Sequence, residues 1–257
     1  MPEYKKLKYY FDRELAQLLA EKIVEVFVDF NSKVFVRNID KSVDDLELKD
    51  RVAVIAQGLR THLPQDYPQA LAILLKIIGP ENPKETGMFT EGYWLMPVAY
   101  FVETYGIDDF DLSMNAIYEI TKRNTGEYAI RPFVVKNLHH ALVFIKKWAK
   151  DKNFQVRRLA SEGIRPRLPW ARKLDAFIKD PKPVLEILET LKKDPSPFVR
   201  KSVANNLNDI LRDNYEIGMQ TIRVWHQTAT KETQWIIKHA LRNEIKKGNP
   251  EAQHLVL

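Results

Sequence analysis

The sequence predicts an all-α protein built from stacked helical repeats, and three observations lead there. Apolar residues recur at three- and four-residue steps along nearly the whole chain, the period of an amphipathic helix. Strand-like alternation is missing. Val34-Phe35-Val36 could form a strand, but it stands alone or continues a helix. A sequence motif in the second half returns after about forty residues.

Residues 12–29 place Leu15, Leu18, Leu19, Ile23, Val26 and Phe27 on one stripe. Residues 51–59 form a second such segment. A third, 67–78, carries Tyr67, Leu71, Leu74, Leu75 and Ile78 and stops at Gly79-Pro80, where proline removes a backbone donor. The connections 62–68, 79–92, 105–109, 180–183, 194–197 and 248–250 are polar and contain Pro or Gly. The longest, Gly79 to Gly92, is expected to be an irregular insertion. Asn153 to Ala160 is strongly helical, and Ser161-Glu162-Gly163-Ile164-Arg165-Pro166-Arg167-Leu168-Pro169-Trp170 follows it. Proline disfavours helix in the residue before it, so this stretch is a stiff, non-helical exit that displays an acid, two arginines and a tryptophan.

The motif runs Asp151-Lys-Asn-Phe-Gln-Val156-Arg157-Arg158 and again Asp194-Pro-Ser-Pro-Phe198-Val199-Arg200-Lys201. A weaker third copy is Trp235-Ile236-Ile237-Lys238. Helix pairs repeated at this spacing are the mark of a HEAT-like solenoid, whose units stack in one dimension and present a long concave face. The expectation is one repeat domain over 1–257, with acidic repeats in 1–125 and basic repeats carrying the site in 126–257.

Composition narrows the function classes. Hydrophobic residues make up 45% and charged residues 29%, as in a folded globular chain, and 9 Gly with 14 Pro exclude disorder and collagen. There is no Cys, hence no disulfide framework, thiolate metal site or Cys nucleophile. The N-terminus has no apolar signal core and no window approaches a membrane span, so a soluble, cytoplasmic protein is expected. The net charge of +6 hides an asymmetry: residues 1–129 carry 15 Lys and Arg against 21 Asp and Glu, whereas 130–257 carry 25 against 13. So basic a second half attracts a polyanion, or else its lysines only solvate helix faces.

Three polar constellations follow. Arg158, Glu162 and Arg165 fall at i, i+4 and i+7 on one helix face, with Val156, Leu159 and Ala160 turned to the core. In the next repeat Val203, Leu207 and Ile210 form the apolar stripe, and Ser202, Asn205, Asn206 and Asp209 take the other side. Upstream, Thr125-Gly126-Glu127-Tyr128-Ala129-Ile130-Arg131-Pro132-Phe133 sets another acid before an Ile-Arg-Pro. Stacked repeats are expected to bring Glu127, Glu162 and Asp209 into one basic concavity. Singly, each reads equally as an ordinary surface charge, Trp170 as a core residue, and Trp148 as either pocket or core.

The runs 156–170 (V-R-R-L-A-S-E-G-I-R-P-R-L-P-W), 199–210 (V-R-K-S-V-A-N-N-L-N-D-I) and 127–133 (E-Y-A-I-R-P-F) resemble the AlkC branch of the AlkC/AlkD bacterial DNA alkylation repair glycosylases. The resemblance is strong over 127–212 and weak after Tyr215. It implies HEAT-like repeats with a concave basic groove that binds double-stranded DNA containing alkylated bases. It also implies excision of cationic N-alkylated bases of the 3-methylcytosine and 3-methyladenine type, in the bacterial cytosol. Some members append an immunoglobulin-like domain, for which a chain ending at Leu257 leaves no room. By the same resemblance Glu127, Glu162 and Asp209 are the catalytic acids, and Trp170, Arg158, Arg165 and Arg167 shape the pocket and grip DNA.

The chemistry suits such residues. A cationic base leaves without prior protonation, and carboxylates stabilise the oxocarbenium character left on the sugar or activate water. A tryptophan face favours a cation, and guanidinium forks suit phosphates. No metal, nucleotide or other cofactor is expected: the six His have no ligand spacing, His139-His140 reads as a helix-surface or repeat-contact pair, and no phosphate-binding glycine loop occurs. No membrane association is expected, and a monomer is, because wrapping a duplex needs an open face. The competing expectations are a non-catalytic HEAT-like protein that binds distorted or branched DNA, and a protein-binding HEAT scaffold.

Overall fold

The computed structural model describes residues 5–85 and 91–256, and every regular element among them is helical. The chain divides into two compact units, Met1–Pro132 and Phe133–Leu257, close to where its charge balance changes sign.

The first unit holds α1 (Arg13–Val24), α2 (Ser32–Asp40), α3 (Leu48–His62), α4 (Tyr67–Ile77), α5 (Met96–Tyr105) and α6 (Phe110–Thr121). Asp12 starts α1 by accepting hydrogen bonds from the backbone amides of Glu14 and Leu15. Val34-Phe35-Val36 lies inside α2. Asn31 caps that helix, and Phe35, Val36 and Ile39 are buried as α2 packs on α1 and α3, so helical burial overrides β propensity. After α4, Gly79 takes a φ of 75°, a left-handed turn that suits glycine. The described part of the expected insertion is tied down by the Asn82 amide, which donates to the Lys122 carbonyl at 2.8 Å. Residues 86–90 of that insertion lie outside the described residues.

α7 (Arg131–Lys136) spans the division. The second unit continues with α8 (Leu138–Trp148), α9 (Phe154–Glu162), α10 (Asp175–Lys179), α11 (Lys182–Leu191), α12 (Pro197–Asp213), α13 (Tyr215–Gln227), α14 (Lys231–Ala240), α15 (Arg242–Lys246) and α16 (Pro250–His254). The pairs α8/α9, α11/α12 and α13/α14 are the repeats, and α12 packs between α9 and α14. Val156, Val199 and Ile236, the common position of the three motif copies, are buried in this stack. The fold is a HEAT-like helical repeat.

The geometry explains the Asp-x-x-x-x-Val-Arg signature as a structural device. Each Asp carboxylate accepts the backbone amide two residues on: Asn153 to Asp151 at 2.7 Å and Ser196 to Asp194 at 2.9 Å. Each Arg folds back to donate to its own Asp carbonyl, Arg157 to Asp151 at 3.0 Å and Arg200 to Asp194 at 2.9 Å. Between repeats, Arg157 also grips the Asp194 carboxylate with two bonds, at 2.5 and 3.0 Å.

Two polar positions differ from their expected placement. Ser202 and Asn206, assigned to the polar side of α12, are buried, and the Asn206 side-chain amide donates to the Ser161 carbonyl of α9 at 2.8 Å. Side-by-side stacking buries a wider arc of α12 than the apolar stripe alone marks. Trp148 is core, edge-on to Phe144.

Candidate active site

The site is built where α9 ends and α12 approaches its own C-terminus. Asn153 caps α9 through the amides of Gln155 and Val156, which fixes the register of the helix. That register directs Val156, Leu159 and Ala160 inward and sets Arg158 and Glu162 one turn apart. Arg165 follows in the non-helical exit. Its guanidinium bridges two carboxylates, donating to Glu162 at 2.8 Å and to Asp209 of α12 at 2.8 and 3.3 Å. Arg158 approaches Glu162 at 3.7 Å and lies over the Phe198 ring at 4.6 Å.

The two acids sit in opposite electrostatic states. Burial alone raises the Glu162 carboxyl, but Arg158 and Arg165 together outweigh it and hold the group below the ordinary carboxylate range. Asp209 is raised, chiefly by burial. Arg165 opposes that shift, yet it divides its attraction between two carboxylates, and the Glu162 charge adds to the rise. Arg165 itself is held fully charged, because its two acids outweigh its burial. A fixed anion thus stands beside a carboxylate that accepts a proton more readily than usual. Asp209 also lines a cleft of about 580 Å³ with Asn208, Arg212, Tyr215, Asn243 and Glu244.

The exit segment has one strained residue. Trp170 has a φ of 61°, in the left-handed region that a bulky side chain avoids, and it is 64% exposed. The segment is clamped on both sides of it. Leu168 is buried, the Leu174 amide donates to the Pro166 carbonyl at 3.1 Å, and Arg167 pairs with Asp213 through two bonds of 2.6 Å. A strain of about 1–3 kcal/mol persists only where its surroundings enforce it, and such residues cluster at functional sites. The indole is therefore presented to solvent and is not packed as core.

Among the sequence-predicted residues, Arg158, Glu162, Arg165 and Asp209 form one continuous charged cluster. Arg167 is tied to Asp213, and Trp170 stands on the same exit segment. Arg165 and Arg167 direct their guanidinium forks at carboxylates within the chain. Glu127 belongs to the first unit. It is buried in the turn before α7, where the Thr125 hydroxyl donates to its carboxylate at 3.0 Å. Asp213 was missed by sequence reasoning. Its signal was spacing, since Arg167–Asp213 and Arg165–Asp209 both pair across one repeat length.

Comparison with known proteins bears on this cluster. The family model for DNA alkylation repair enzymes matches residues 124–243. A structure of the Pseudomonas fluorescens alkylpurine DNA glycosylase AlkC, bound to DNA containing an abasic site analog, superposes with a TM-score of 0.88 at 37% identity, covering 98% of this chain and 68% of that one. The chain belongs to the DNA alkylation repair enzyme family. Within this DNA alkylation repair family, the uncharacterized protein YhaZ of Bacillus subtilis is 37% identical over 247 residues, 96% of this chain and 66% of its own length. The chain thus spans about two thirds of the length of these two relatives. The Streptococcus mutans protein AlkD2 shares the fold, with a TM-score of 0.58 at 24% identity over 81% of this chain and 96% of that one. The span matched by the alkylation repair model contains Glu127, Glu162, Asp209 and Trp170.

Proposed function

We propose that this protein is a DNA glycosylase that hydrolyses the N-glycosidic bond of cationic N-alkylated bases in duplex DNA and so initiates base excision repair. The observation that carries the reading is the Glu162–Arg165–Asp209 bridge. It holds two carboxylates of unlike proton affinity in a desolvated place, inside a chain whose AlkC relative is an alkylpurine DNA glycosylase. Lesions of the 3-methyladenine and 3-methylcytosine type belong to this reading, as do a monomeric state and a place in the bacterial cytosol. Among the described residues no helix is long and apolar enough to cross a membrane.

The chemistry needs little from the protein beyond electrostatics. An N3-alkylated base already bears positive charge, so it departs with the bonding electron pair of its glycosidic bond and becomes neutral. The sugar acquires oxocarbenium character at C1′. Glu162, held anionic, stabilises that charge as it develops. Asp209, with its raised proton affinity and its position on the cleft, orients a water molecule and takes its proton as the C1′–O bond forms. Arg165 fixes both carboxylates and keeps them from repelling one another. Trp170 offers a π-face to the cationic base, worth about 0.5–2 kcal/mol, an attraction that a neutral base forfeits. Glu127 keeps the role that the family resemblance implies, and Glu127→Gln tests it separately.

The test is direct. Duplex DNA carrying 3-methyladenine or 3-methylcytosine, incubated with the protein, is expected to release free base and leave an abasic site. Because Asp209 must be ionised to act as base, single-turnover release should fall on acidification with a midpoint above the ordinary aspartate range. Salt-sensitive duplex binding without release of either base points instead to a non-catalytic DNA binder.

A further inference from the structure

Beyond the acid pair, α14 carries an exposed aromatic ledge with no role in the chemistry above. Trp235 is 42% exposed, and the imidazole of His239, one turn on, stacks nearly parallel on it with centroids 5.1 Å apart at 10°. The Arg200 guanidinium of α12 lies 5.9 Å above the indole. Arg242, at the start of α15, closes the other end. It donates to the His239 carbonyl at 2.7 Å and to Asn205 Oδ1 at 3.1 Å.

The two arginines of the ledge differ in their pairing from most others of this unit. Arg157, Arg165, Arg167 and Arg223 each face a carboxylate. Arg200 and Arg242 donate their hydrogen bonds to neutral oxygens, Arg200 to the carbonyls of Asp194 and Pro195. Neither forms an ion pair within 4 Å among the described residues, although Glu232 and Asp209 lie within electrostatic reach of them. The surroundings carry a net positive field. Burial, Arg242 and Lys201 depress protonation of His239, and burial and Arg165 depress that of Arg242, with only Asp209 opposing. Pre-oriented cations around an exposed flat aromatic fit a chain of phosphates and sugars. The fixed positive charge beside the acid pair complements the phosphates of a strand held there, and the indole and imidazole faces pack against its sugars.

We propose that Trp235 and His239, flanked by Arg200 and Arg242, form a second contact of this chain, for the sugar–phosphate backbone of duplex DNA beside the reacting nucleotide. The contact rests on the proposed function only for its partner. Arg242 and Asn205 connect the ledge to Asp209, so a strand engaged at the acid pair runs on across α14. The arginines supply the phosphate attraction, and the stacked pair covers a deoxyribose.

The experiment is equilibrium binding of a fluorescent undamaged duplex across a salt series. It uses wild type, Trp235→Ala and the double variant Arg200→Gln/Arg242→Gln, with thermal unfolding of each. Removing two phosphate contacts should lower the salt slope by about two and weaken binding about ten- to a hundredfold at low salt. Trp235→Ala should weaken binding about fivefold or more with the slope unchanged. Wild-type affinity and slope in variants of wild-type thermal stability would overturn the proposal, as would wild type that binds no duplex. Variants that bind as predicted, from a protein that releases no base, would sink the glycosylase reading and leave the ledge standing.

Discussion

At the scale of single residues, the chain separates its carboxylates by environment. Glu162 and Asp209 share Arg165, yet one lies below and the other above its ordinary range, because Arg158 and Arg165 together outweigh burial at Glu162, whereas burial and the Glu162 charge prevail at Asp209. Glu103 of α5 shows burial with weaker compensation. Burial raises it from 4.5 to about 7, with Lys49 and Arg131 only partly opposing. Between those values the folded protein keeps a proton that the unfolded chain has lost. This stability is therefore fully present below pH 4.5 and is lost as pH rises through about 7. Glu103→Gln should accordingly raise unfolding stability by about 2–3 kcal/mol at pH 8 and change it little at pH 4.5. Denaturant titrations at the two pH values check this, and equal effects at both would contradict the assignment.

At the scale of elements, the repeat motif fixes the frame on which the acids sit. Asp194 joins the start of α12 to α9 through Arg157, and it is 7% exposed. Asp194→Ala would strand the Arg157 charge and remove the turn that caps α12, so a loss of about 3 kcal/mol is expected in chemical unfolding. A loss below 1 kcal/mol would mean that the signature is ornamental. The same scale shows what the sequence made legible. Helical periodicity located α1, α3, α4, α9 and α12, and the repeat spacing placed α9 beside α12. Val34 to Val36 remained ambiguous because a short apolar run has no period of its own. Ser202 and Asn206 were misplaced because a helix clasped between two others buries polar residues that one stripe does not mark. The pairing of Arg165 and Arg167 with acids across a repeat was written in the spacing but required the stack to be seen.

At the scale of the molecule, charge is divided between the halves of the chain. On the proposed function, the balance of 25 basic against 13 acidic residues after residue 129 makes duplex affinity a salt-dependent quantity. With about five phosphates neutralised, the slope of log K against log salt should be about −4 to −5, and a slope near zero would remove electrostatics from the account. The acid pair sits inside this basic unit for a physical reason. Carboxylates next to a polyanion are tolerated only where cations hold them, and Arg158 and Arg165 do so here. Trp170 was legible as an unusual residue of the exit segment, but its strain and exposure were not, since both come from the clamp around Leu168 and Arg167.

The central claim is that Glu162 and Asp209 act on the glycosidic bond. Single-turnover release of 3-methyladenine from duplex DNA, measured for wild type, Glu162→Gln and Asp209→Asn at protein concentrations that saturate binding, tests it most directly. The account predicts a loss of about a hundredfold or more in each variant, with duplex affinity within a few fold of wild type. Release at the wild-type rate from either variant would contradict it.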